Sequence, residues 1–443
     1  MRFPFSITWL SNLWDRLRTS FWFLPSSMAL LAIALSFILV QVDTWLGVKV
    51  VRELGWSYAF GPEGARAILS AIASSMITVA GLTFSITMLT LQLASSQFGP
   101  RLLRNFMRDR GNQIVLGTFI STFVYCLLVL RTVRGTEDAS FVPHISVAFG
   151  VLLALASIAV LIYFIHHVAT AIRIENLLAQ LAAETHATID RIYPERTGHE
   201  PPPVGRPVEQ LIPSGFDRDS RAVRAAASGY VQRVDVDALM GHATDHDLIV
   251  RIDAGPGRFV TERDTILTAH PSDRVSDDVA DRLRSTLVVG LERTPDQDLE
   301  FSIRRIVEIA QRALSPGIND PTTALYCIDR LGEALGRLAE RDIPSGVRFD
   351  DDHRLRILTK VTSLESLACP AYAAIARYGL ADADVVALLL TSMAALSRAA
   401  QPATRRAIAD LSEEIHRESR KKASLDFDRH KIQAKSEIGS GTS

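Results

Sequence analysis

Cysteine is scarce in this chain of 443 residues: Cys126, Cys327 and Cys369 stand far apart, with no C-x-x-C spacing. A disulfide framework and a zinc ribbon are therefore not expected. Lysine is missing between Lys49 and Lys360, which removes lysine chemistry from most of the chain. Neither a phosphate-cradling Gly-rich loop nor a dinucleotide fingerprint occurs, and no Ser/His/Asp set or general acid/base pair is visible. A basic patch large enough for nucleic acid is absent too. The sequence points to no enzyme, no cofactor, no metal and no nucleic-acid partner.

What is abundant is apolar residue, 48% of the chain, with a mean hydropathy of +0.16. Four runs, about residues 21–42, 65–93, 112–133 and 142–168, are long enough to span a bilayer, which takes roughly 20 apolar residues. None has a charge in its middle. The expected architecture is an α-helical membrane protein with a transmembrane domain over residues 1–170. Charge divides along the same line, with a net of +5 for residues 1–170 and −6 for residues 171–443.

Arginine placement gives an orientation. The loop between the second and third runs holds Arg101, Arg104, Arg108 and Arg110 against one Asp109, and the N-terminus holds Arg2, Arg16 and Arg18. By the positive-inside rule both termini face the cytoplasm. Leu102, Leu103, Phe106 and Met107 alternate with the loop arginines at helical spacing, so those arginines are read as facing lipid phosphates at the interface.

The second run is rich in hydroxyls. At 100° per residue, Ser70, Ser74, Thr78, Gly81, Ser85 and Gln92 share an arc of about 80°, and Thr83, Thr87 and Thr90 form a second stripe roughly opposite. Two readings fit. Small and hydroxylated residues are the usual packing surface of membrane helices, and a polar stripe also lines aqueous paths. Four helices are few for a self-contained transporter, so a pore implies a homo-oligomer.

The remainder reads as a cytoplasmic α+β region. Residues 171–204 form a helical extension and a Pro-rich linker, and residues 205–272 a small β-barrel-like domain. Residues 273–420 read as a helical domain, and residues 421–443 as a disordered tail. The β-rich cadence loosely resembles lipoyl or biotinyl carrier barrels, but no lysine is present to carry the group. His242 and His246, four apart, lack a third ligand. In "ALSPGINDPTTA", Asp320 reads as an N-cap with Pro321 at the first helical position. Asn319 and Asp320 are the candidate ligand turn, though a capped helical hairpin accounts for every residue.

Three stretches together, "GLTFSITMLTLQLASSQFGPRLL", "LGTFISTFVYCLLVL" and "ALSPGINDPTTA", resemble a family of bacterial multi-pass proteins called predicted membrane proteins, a domain of unknown function. The resemblance covers most of the chain, roughly Ser11 to Arg420. It implies an inner-membrane location and carries no activity or site residues. Two functions are weighed: an oligomeric channel or transport component gated by its cytoplasmic domain, and a membrane-anchored sensor or scaffold with a cytoplasmic ligand or partner.

Overall fold

The computed structural model describes residues 22–53, 61–98, 110–136, 139–171, 173–193, 212–341 and 346–422. The chain divides into two compact units, Met1–Asn176 and Leu177–Ser443.

The first unit is built on four helices: α1 (Phe23–Glu53), α2 (Pro62–Phe98), α3 (Arg110–Leu130) and α4 (His144–Ala171), with a hairpin of β1 (Arg134–Thr136) and β2 (Ala139–Phe141) before α4. Each helix carries a stretch long and apolar enough to cross a membrane, the shortest being Arg110–Leu130 with 21 residues. Helix α3 packs against all three others. Gly117 permits its approach to α1: a Cβ there would lie 2.6 Å from Met28 Sδ and 3.2 Å from Pro25 Cα. At one end of the bundle Ala65, Leu69, Tyr125, Val129 and Val147 form a single core cluster. That places the start of α2, the end of α3 and the start of α4 side by side, as an up-and-down topology requires. The Arg66 guanidinium closes this end by donating to the Val133 carbonyl at 3.0 Å.

The second unit takes in α5 (Ile174–Ile192) from Leu177 onward and continues into an α/β layer. In chain order this contains β3 (Arg221–Arg224), β4 (Gly229–Val234), α6 (Val236–Asp245), β5 (Ile249–Ile252), β6 (Phe259–Val260), β7 (Thr265–His270), α7 (Asp277–Ser285) and β8 (Leu287–Gly290). Two further strands, β9 (Val347–Phe349) and β10 (Leu355–Leu358), return to it from later in the sequence. The strands form one sheet of order β3-β7-β5-β10-β9 and another of order β6-β4-β8. Between them lies one core that includes Val231, Leu239, Val250, Leu267 and Leu283.

The expected barrel is corrected by this topology. Both sheets are open, and β10 joins β5 in parallel across about a hundred residues of chain. The β layer also extends beyond residue 272 into the stretch expected to be helical. Two features hid those strands. Arg356 breaks the apolar alternation of β10 yet is 4% exposed, because Asp350 and Asp247 pair with it. The four-residue β8 abuts α7 and is too short to show a period.

The helical layer contains α8 (Leu299–Ala313), α9 (Pro321–Ala339), α10 (Leu364–Gly379), α11 (Ala383–Ala399) and α12 (Pro402–Lys422). Asp298, Asp320, Ser363 and Asp382 cap the first four through their side chains. Each satisfies an amide that the first turn would otherwise leave bare.

Candidate functional site: the outward face of the second helix

Helix α2 starts with Pro62 at the first helical position, where its missing N–H costs nothing. The helix runs for 37 residues, and between Arg66 and Gln92 it is wholly apolar or hydroxylated apart from Gly81. Its inward arc holds Ala65, Leu69, Ala73, Met76 and Ala80, all buried. Thr83 and Thr90, 2% and 6% exposed, continue that arc. The second hydroxyl stripe is thus a packing surface inside the bundle.

The first stripe is on the other side. Ser70, Ser74, Thr78, Gly81, Ser85 and Gln92 are all exposed on the four-helix unit. Apolar shoulders flank it: Ile77 and Phe84 on one side, Leu82 and Leu89 on the other, each 45–59% exposed. The Thr78 hydroxyl donates to the Ser74 carbonyl at 2.8 Å, and Ser85 donates to the Gly81 carbonyl at 2.9 Å. With their protons spent on the helix, these oxygens present lone pairs outward.

The other outward faces differ. Helix α1 presents Leu30, Leu31, Phe37 and Ile38, and α4 presents Leu152, Leu155, Ile158 and Ile162, as a lipid-facing surface should. Glycine sharpens the contrast. In α3 Gly117 abuts α1, and in α4 a Cβ on Gly150 would stand 3.3 Å from Leu69 Cδ2. A Cβ on Gly81 would meet nothing within 4 Å. A glycine inside a helix costs about 1 kcal/mol relative to alanine, and among the described residues nothing packs against this one.

The bundle also contains a group that sequence reading missed. Asp43, 8% exposed in the second half of α1, accepts from the amides of Ile145 and Ser146, both at 2.9 Å, and from the Ser146 hydroxyl at 2.6 Å. The Tyr125 hydroxyl donates to the Ser146 carbonyl at 2.9 Å. One carboxylate thereby caps α4 from another helix and ties α1, α3 and α4 together. No local signal marks it, since its partners lie 102 and 103 residues away in sequence.

Elsewhere the candidates resolve into structure. Asp320 caps α9, accepting from the Thr323 amide at 3.1 Å and its hydroxyl at 2.6 Å. Asn319 beside it is exposed at φ +50°. The two residues close the turn between α8 and α9. Among the described residues no cluster of metal-ligating side chains occurs. His242 and His246 sit at the end of α6, and neighbouring Asp247 is engaged by Arg356 and Arg274. Those two hydrogen bonds hold the Asp247 carboxyl below the usual carboxylate range. Of the interfacial arginines, Arg101, Arg104 and Arg108 lie outside the described residues, and Arg110 is exposed at the first position of α3.

Residues 18–395 match the family described as Predicted membrane protein (DUF2254). Uncharacterized protein MT1328 of Mycobacterium tuberculosis (strain CDC 1551 / Oshkosh) is 33% identical over 394 residues, which cover 87% of this chain and 73% of the relative. Uncharacterized protein Mb1321c of Mycobacterium bovis is similar to the same extent. No solved structure matches the chain. The chain belongs to the predicted membrane protein family.

Proposed function

We propose that this member of the predicted membrane protein family is an oligomeric channel or transport component of a bacterial inner membrane. In this reading α2 lines the path and the second unit, in the cytoplasm, gates it. The observation that carries it is the outward polar stripe of α2 with Gly81 at its centre. Hydroxyls and an amide are poor company for lipid tails, and α1 and α4 show that this chain dresses its lipid faces with large apolar groups. A second copy that packs on the shoulders Ile77, Phe84, Leu82 and Leu89 removes the stripe from lipid. Several copies then surround a path walled by hydroxyl oxygens. The excess of arginine in the loop between α2 and α3 supports the cytoplasmic placement of both termini.

Flux tests it. In proteoliposomes the Thr78→Leu, Ser85→Leu double variant is expected to lose solute or ion flux while keeping its native mass. Wild-type flux in a folded double variant would refute the reading. The size of the Leu177–Ser443 unit favours a second reading, a membrane-anchored sensor or scaffold. It predicts no flux from wild type and a ligand or partner that raises the thermal stability of the full chain.

A further inference from the structure

Helix α5 follows α4 with two residues between them, yet it is built into the second unit. One face, including Leu177, Leu181 and Ile189, is buried. Polar anchors then fasten it to separate segments of that unit. Glu184 accepts from Arg305 of α8 at 2.7 Å. Asp190 is shared by Arg337 of α9 and Arg341 just beyond its C-terminal end, at 2.8 and 2.7 Å. The Thr188 hydroxyl donates to the Pro295 carbonyl at 3.0 Å, and the Tyr193 hydroxyl to the Thr362 carbonyl at 3.0 Å. The side chains of Arg305 and Arg341 are each 7% exposed. A buried guanidinium is tolerated while its carboxylate stays and is strongly disfavoured once it leaves.

We infer that α5 is an ion-locked strap that is either fully docked or fully released, and that it passes the state of the second unit to α4. The physical basis is cooperativity: all the anchors sit on one short stretch of chain, and two of them hold guanidinium groups that are each 7% exposed. The strap rests on the gated-path reading only for what it serves.

Hydrogen exchange on the full chain in lipid nanodiscs tests it. In wild type, amides of residues 177–193 are expected to exchange at the slow rates of α8 and α9. In Glu184→Gln, Asp190→Asn they are expected to exchange faster by on the order of tenfold or more, with residues 161–171 of α4 also faster. Glu175→Gln, at an exposed position in the first turn of α5, is expected to match wild type. Fast exchange of α5 in wild type would overturn the strap, even if the double variant fails to fold. So would an unchanged rate in the folded double variant. Released α5 with unchanged α4 would overturn the transmission. Absence of flux would refute the channel reading and leave these exchange results standing.

Discussion

Gly257 has φ +87°, and a Cβ there would lie 2.2 Å from Asp298 Oδ2. Asp298 in turn caps α8 and receives a bidentate Arg293 at 2.7 and 2.8 Å. Alanine at this position adds left-handed strain and breaks a buried pair, so Gly257→Ala is expected to cost at least about 2 kcal/mol. Thermal unfolding of the full chain should show the second unit melting about 4–8 °C lower. In the bundle, Asp43→Asn weakens three charge-assisted contacts and should destabilise by about 1–3 kcal/mol, visible as a lower melting point of the membrane unit. The Arg356 cluster gives a pH dependence. At Asp350, burial is the largest single influence and raises the carboxyl pKa, but the hydrogen bonds from Arg356 and the Arg354 amide, together with the Arg356 charge, outweigh it and the net shift is downward. Asp247 is lowered as well, by Arg356 and then Arg274. A carboxylate with a depressed folded pKa contributes stability fully present above its unfolded value, about 4, and lost as pH falls through the lower folded value. The second unit's melting point is therefore expected to fall as pH drops below about 4, and Asp350→Asn to flatten that fall while lowering stability at neutral pH.

At the scale of the element, the two faces of α2 make opposite predictions. Thr83→Leu forces extra methyls into a filled interior and should destabilise by about 1–3 kcal/mol. Thr78→Leu points outward and should leave the bundle's melting point unchanged. A comparison of the two melting curves in one detergent checks both, and an equal loss would contradict the assignment of faces. The sequence announced both stripes, because helical periodicity is local. It could not say which stripe faces in, because that depends on where α3 lies, with Val115 and Phe119 against Met76 and Ala80. The same limit explains the other surprises. Asp320 and Pro321 were readable as a helix start because cap and capped amide are three residues apart. Asp43 was not, since its partners come from another helix. Strand β10 was missed because the burial of Arg356 depends on carboxylates brought by the fold.

At the scale of the whole molecule, a basic membrane half and an acidic remainder become two compact units, with α5 fastened to the second. The four long apolar helices were legible from length and hydropathy alone. The open sheets were not, because the partners of β10 are distant in sequence. The central claim is that α2 meets another copy of the chain. Native mass in lipid nanodiscs tests it most directly. A single oligomer, at an integral multiple of the monomer mass, is predicted for wild type. Monomers alone, from protein that melts cooperatively, would contradict the claim and leave the polar stripe facing lipid.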